Sequence, residues 1–177
     1  MKIRILVAHA TRQGSTKGIA ERIATTLLAN DIEADAIAVD AVRDVDGYDG
    51  YVIGSAVYAM HWLGEAKRFV RRHRAVLRRH PVWLFSSGPL STDPADAEDA
   101  APRDLGEIER AVAVRRHRIF AGAWAHGAPR IGMLERFMSL VPAAREALPE
   151  GDFRDWPAVD DFATTVASEL ALATARA

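Results

Sequence analysis

The chain has 177 residues, 49% of them hydrophobic, with 23 basic against 24 acidic side chains, a formal net charge of -1 and no cysteine. That length suits one domain burying roughly 70% of its unfolded surface, and the balanced charge gives no field that would favour nucleic acid as a partner. The missing cysteine excludes disulfides, thiolate metal sites and a cysteine nucleophile, and it suits a reducing cytoplasm.

Ile3 to Ala8 is an apolar run rich in β-branched residues and reads as a buried parallel strand. It is too short for a secretory signal, and no stretch approaches the roughly 18 apolar residues of a membrane span. From Thr16 the period becomes helical, with Ile19, Ile23, Leu27 and Leu28 on one face and Asn30-Asp31 as the stop. Ile32 to Val39 alternates and predicts an edge-side strand. Tyr51-Val52-Ile53, bracketed by Gly50 and Gly54, predicts the third strand. A helix follows from about Gly64 to Arg79, with Ala66, Phe69, Val70, Val76 and Leu77 inward, and Pro81 ends it.

Val82 to Phe85 predicts the fourth strand. The polar stretch 86–103 reads as a loop on the functional side, because long structureless loops usually carry function. A short helix from Asp104 to about Val114 leads to a fifth strand at Ile119 to Ala123. The last helix starts near Asp155-Trp156-Pro157, with Asp155 as N-cap and Val159, Phe162, Ala163, Val166 and Leu170 as its stripe. Strands alternating with helices predict an α/β fold: a doubly wound parallel sheet in the order 2-1-3-4-5 with helices on both faces. Between strand five and the last helix lies an insertion, about residues 124–154, in which Ile131, Leu134, Phe137, Met138 and Val141 have near-helical spacing.

In such a sheet, ligands bind beyond the carboxyl ends of the strands. The loop after strand one is Thr11-Arg12-Gln13-Gly14-Ser15-Thr16. Hydroxyls of Thr11, Ser15 and Thr16 can donate to an oxyanion. Gly14 permits a tight turn, and the helix behind it aims free N–H groups at the same place. Arg12 and Lys17 can add charge that the site does not require. The loop lacks the Walker spacing and the three glycines of the dinucleotide fingerprint, so nucleoside triphosphate and NAD are disfavoured. A polar βα loop with a helix cap is the plainer reading of this loop alone.

Two neighbouring loops add to it. After strand three come Ser55-Ala56-Val57-Tyr58 and then His61-Trp62, which offer ring-sized surfaces for a flat heterocycle. After strand four come Ser86-Ser87-Gly88-Pro89-Leu90, whose small residues let backbone groups reach a polar ring edge. A monophosphate cradle beside two flat-ring walls predicts flavin mononucleotide (FMN).

Thr11-x-x-Gly14-x-Thr16 after an Ile/Leu/Val strand resembles the flavodoxin phosphate loop, with Gln13 where a Thr or Ser is commoner. The resemblance runs over nearly the whole chain and implies the flavodoxin-like fold and FMN. Within that superfamily the chain is most similar to the bacterial menaquinone-dependent protoporphyrinogen IX dehydrogenase group. The likeness is carried by Thr11-Arg12-Gln13-Gly14-Ser15-Thr16, by Val52 to Val57 with His61 beyond, and by Phe69-Val70-Arg71-Arg72-His73. It continues in Ala121-Gly122-Ala123, Glu135-Arg136-Phe137-Met138 and Asp155-Trp156. It implies a porphyrinogen substrate, a quinone acceptor, a cytoplasmic protein peripheral at the inner membrane face, and an insertion covering the substrate side of the flavin. The chain departs from the group where Pro142 interrupts the insertion helix and where Tyr58-Ala59 replaces an Arg-Tyr pair.

His61 is a candidate flavin hydrogen-bond donor or proton relay, His126 a weaker one, and His9 a structural residue. The basic run from Lys67 to Arg79 reads as a solvated helix face, with anionic lipid or an acidic redox partner as the alternative. The acidic stretch Asp93 to Asp99 reads as a solvated loop. No metal-ligand spacing and no Gly-x-Ser-x-Gly elbow is present. A flavin-dependent oxidoreductase therefore leads. A flavodoxin-type electron carrier, a 5-deazaflavin-binding relative and a flavin-free interaction domain are the competing functions, and the near-neutral charge weighs against an acidic carrier.

Overall fold

The computed structural model describes residues 2–88, 101–124 and 151–174. The elements run β1 Arg4–Ala10, α1 Ser15–Ala29, β2 Glu33–Ala38, β3 Gly50–Tyr58, β4 His61–Trp62, α2 Gly64–Leu77 and β5 Val82–Ser87. They continue with α3 Leu105–Ala111, β6 Val114–Phe120, β7 Ala123–Trp124, β8 Gly151–Asp152 and α4 Trp156–Thr174. The main sheet has the order β2-β1-β3-β5-β6, all parallel, with β4 folded back on β3 and β7 paired antiparallel to β8. Leaving out the two-residue β4, this is the doubly wound order expected.

Alternation along the central strands divides the core in two. Ile5, Val7, Val52, Trp83 and Phe85 meet α1 and α4 through Ile19, Ile23, Val159, Phe162 and Val166. Leu6, Ala8, Tyr51, Ile53 and Leu84 meet α2 and α3 through Phe69, Val70 and Ile108. Each fully buried side chain of this size contributes roughly 1.5–3 kcal/mol. The predicted stripes face inward except Leu28, which is 63% exposed on the far side of α1. Asp155 caps α4 as expected, its Oδ1 accepting the Ala158 N–H at 3.0 Å. Gly54 is required by packing, since a Cβ there would overlap the Phe85 ring.

Several boundaries differ from expectation. The helix after the polar loop ends at Ala111, and the fifth parallel strand is Val114–Phe120 rather than Ile119 to Ala123. Its Val-Arg-Arg-His-Arg-Ile-Phe sequence suits an edge strand, where arginine stems lie on the sheet and keep their charge in water. Arg115 sits 5.9 Å over the Trp83 ring, and Arg116 pairs with Glu169 of α4 at 3.2 Å. β3 and β5 are also longer than expected, so Ser55 to Tyr58 and Ser86-Ser87 are strand ends rather than loops. Pro89, Leu90, His126, the Asp93 to Asp99 stretch and the apolar positions 131–141 of the insertion lie outside the described residues.

Candidate flavin site

The carboxyl ends of β1, β3, β5 and β6 meet at one edge of the sheet, and the loop 11–14 stands there. Gly14 takes the left-handed conformation, φ 87°, at the N-cap of α1, with no side chain capping the helix. The Thr11 Oγ1 accepts the Gly14 N–H at 3.0 Å and closes the loop on itself. The Ser15 Oγ accepts the Ala123 N–H at 2.9 Å and lies 3.3 Å from the Ser87 Oγ, which ties α1 to the end of β5 and the start of β7.

Three side chains here lack partners among the described residues, His9 through its buried Nδ1 and two in the loop and helix start. The Thr16 Oγ1 is buried, and both amide atoms of Gln13 are buried, with no hydrogen bond to any described residue. Orphaned buried polar atoms cost about 1–3 kcal/mol each, so their gathering at an uncapped helix start marks a place built for an oxygen-rich ligand. Charge adds little. Lys17 pairs with Glu21 at 3.6 Å on the surface. His9, under the loop and 4% exposed, is pushed below its ordinary pKa chiefly by burial and stays neutral at pH 7. These orphaned donors and acceptors, gathered with little charge at a helix start, have the chemistry that a phosphate monoester would use.

Beside this pocket, β3 and β4 form a tight hairpin through the pairs Val57–Trp62 and Tyr58–His61. Its tip, Ala59 (φ 49°) and Met60 (φ 65°), is left-handed at both residues, a conformation costing about 1–3 kcal/mol per non-glycine residue. His61 is exposed. The ring surface expected of Trp62 is turned inward: it is 2% exposed, and its Nε1–H donates to the Ser86 Oγ at 2.8 Å. Trp62 therefore supports the hairpin from below. Ser55 and Ser86 are likewise fully buried. The Ser55 Oγ accepts the Leu63 N–H at 3.0 Å, and Ser86 lies 2.8 Å from the His117 Nε2. Ser87 and Gly88 end the β5 edge, with the Gly88 N–H bonded to the Phe120 carbonyl at 2.9 Å.

Sequence reasoning missed Asp104 and His117. In the sequence Asp104 marks only the start of a short helix. Its side chain, 8% exposed, instead accepts from Lys67 Nζ at 2.7 Å and from the Trp62 N–H at 3.3 Å, with the His61 Nδ1 at 3.5 Å. Burial alone would raise its pKa, but these bonds outweigh it and hold the carboxyl below the usual range. A hydrophobic stripe of its own would have betrayed neither residue; only the fold brings them to the hairpin.

Comparison with known proteins bears on the family and the fold. The chain is 25% identical to protoporphyrinogen IX dehydrogenase [quinone] of Escherichia coli (strain K12), over 93% of this chain and 95% of that protein. Among solved structures it superposes on a flavodoxin from the domain Archaea (TM-score 0.54, 17% identity, 66% of this chain and 83% of that one). It also superposes on rubredoxin oxygen:oxidoreductase from Desulfovibrio gigas (TM-score 0.62, 11% identity), where 97% of this chain matches 37% of that one. The family model for the flavodoxin domain matches residues 6–141. The chain belongs to the flavodoxin domain family, and FMN is its cofactor.

Proposed function

We propose that the protein is an FMN-dependent oxidoreductase related to protoporphyrinogen IX dehydrogenase, passing electrons from a porphyrinogen-type substrate to a quinone. The observation that carries this is mutual coverage. The Escherichia coli dehydrogenase aligns with 93% of this chain and is itself covered to 95%, whereas rubredoxin oxygen:oxidoreductase matches 97% of this chain over only 37% of its own length and the archaeal flavodoxin matches 66% of this chain. The length shared with the dehydrogenase reaches into the insertion between β7 and β8, which the minimal fold does not need. The near-neutral charge also suits an enzyme better than an acidic carrier.

Bound FMN supplies the one- and two-electron chemistry. Around it, Thr16, Gln13 and the N–H groups opening α1 hold the phosphate, while Thr11 and Gly14 shape the loop. Arg12 stands at its rim and Ser15 joins it to Ser87. The hairpin residues Ala56, Val57, Tyr58 and His61 would wall one side of the ring and Ser87-Gly88 the other; Pro89 and Leu90, expected beside them, lie outside the described residues. Ser55, Ser86 and Trp62 support these walls from beneath. Half of the His61 side chain is exposed, which leaves it free to exchange a proton with substrate. A quinone acceptor would bring the protein to a membrane surface. The exposed guanidinium groups of Arg68, Arg71, Arg72 and Arg78 on and after α2 suit contact with anionic lipid, and no described helix is long and apolar enough to cross the bilayer.

The test is oxidation of protoporphyrinogen by FMN-loaded protein with a menaquinone analogue. Turnover above the uncatalysed rate, lost when the insertion is deleted while flavin is retained, supports the enzyme. Flavin that cycles with a redox protein but not with porphyrinogen would make it a carrier, and loading with a 5-deazaflavin in place of FMN would move it to that branch.

A further inference from the structure

We infer that Asp104 is a positioning residue for the ring side of the flavin site, acting by pinning the β3–β4 hairpin in a turn that the hairpin's own residues disfavour. The inference rests on the reading that this hairpin walls the flavin ring.

The hairpin cannot hold itself. Ala59 and Met60 are both left-handed, φ 49° and 65°, and neither is the Gly, Asn or Asp that such a turn favours. A Cβ in that conformation crowds the following carbonyl oxygen. The ladder closing the turn has two residue pairs, Val57–Trp62 and Tyr58–His61, and a ladder so short has little strength of its own. A strained turn persists only where its surroundings over-determine it.

Those surroundings come from residues 103–104, far along the chain. The Arg103 N–H donates to the Met60 carbonyl at 2.9 Å, satisfying the turn's outward-facing oxygen. The Asp104 Oδ1 takes the Trp62 N–H at 3.3 Å on the returning strand, and its Oδ2 takes Lys67 Nζ at 2.7 Å in the first turn of α2. The same oxygen lies 3.5 Å from the His61 Nδ1. One nearly buried carboxylate thus grips the hairpin's return strand and the helix that follows it. A plain capping role does not explain this. Asp104 occupies the N-cap position of α3, yet it makes no side-chain cap bond there; its carboxylate is turned to the hairpin.

Among the described residues no hydrogen bond or ion pair joins Asp104 to the phosphate loop, so its influence on a flavin is confined to the ring. The experiment separates ring from tail. Dissociation constants for FMN, riboflavin and inorganic phosphate are measured on wild type, Asp104→Ala and the milder Asp104→Asn, and again with Ala59→Gly and Met60→Gly added. Trp62 amide hydrogen exchange is followed in the same proteins without flavin. Asp104→Ala is expected to weaken FMN and riboflavin roughly tenfold, about 1.4 kcal/mol, to leave phosphate binding unchanged, and to speed Trp62 exchange. In the double-glycine background, where the turn carries no steric penalty, the same substitution is expected to cost under about threefold. Unchanged riboflavin binding, an equal loss for phosphate, or a tenfold loss that persists in the glycine background would each overturn the inference. Should wild type bind no flavin at all, the reading of the site fails, and the exchange rates still decide whether Asp104 pins the hairpin.

Discussion

The Ser86 hydroxyl lies 2.8 Å from the Nε2 of His117, and the indole of Trp62 reaches the same oxygen from the other side, also at 2.8 Å. An indole N–H can only donate, so the serine oxygen accepts from Trp62 and its own proton is available to a neutral imidazole. Three side chains from β4, β5 and β6 are thereby joined beneath the hairpin.

This chain makes stability depend on pH. Burial pushes the His117 pKa down from 6.5 to about 4. The folded pKa lies below the unfolded one, so the stabilisation is complete above about pH 6.5 and is lost as pH falls toward 4, where the unfolded chain takes up a proton that the folded protein refuses. The shift corresponds to about 3 kcal/mol across that window. Urea unfolding at pH 7 and near pH 4.5 is expected to show a steeper loss for wild type than for His117→Gln. Parallel losses in the two proteins would mean that His117 is not buried as described.

The Arg22 guanidinium of α1 holds both oxygens of Asp160 of α4, at 2.7 and 2.6 Å, and Thr26 adds a bond at 2.7 Å. These bonds, the Arg22 one first, pull the Asp160 pKa down to about 2. The contribution is therefore present above the unfolded carboxylate pKa, near 4, and is lost as pH falls through about 2. The pair is solvent-screened, so its effect is small. Asp160→Asn is expected to lower Tm by about 1–2 °C at pH 7, and scanning calorimetry in low and high salt would show that difference shrinking as salt rises.

Thr16 sets function against stability. Its buried hydroxyl has no described partner, so Thr16→Val is expected to stabilise the flavin-free protein by about 1 kcal/mol. In the proposed site the same change would remove a hydrogen bond to a charged phosphate and is expected to weaken FMN about 10- to 100-fold. Denaturant titration and flavin fluorescence quenching measure the two effects separately. A variant both less stable and equally tight for FMN would place the phosphate elsewhere.

Much of this was legible in the residues. The β-branched run of β1, the switch to helical spacing at Thr16 and the Pro81 stop fixed three elements because each reflects local sterics or periodic burial. The tight turn at the start of α1 was legible for the same reason, since Gly14 takes the left-handed conformation that the loop called for. Strand β6 was not, because Arg115, Arg116 and Arg118 hide its alternation, and only its edge position makes an arginine strand favourable. The hairpin was missed because Ala59 and Met60 carry no turn signal; the left-handed tip is stabilised by Arg103 and Asp104, more than forty residues away. Trp62 was misread as a ring wall because exposure depends on which way a two-residue strand faces.

The proposed phosphate site is the nearly uncharged loop and helix start at Gln13 to Thr16. Its most direct test is equilibrium titration of the flavin-free protein with FMN and with riboflavin, which differ only by that phosphate. FMN should bind at least about a hundredfold more tightly, the worth of roughly two charged hydrogen bonds. Equal affinities for the two flavins would contradict the assignment of the pocket.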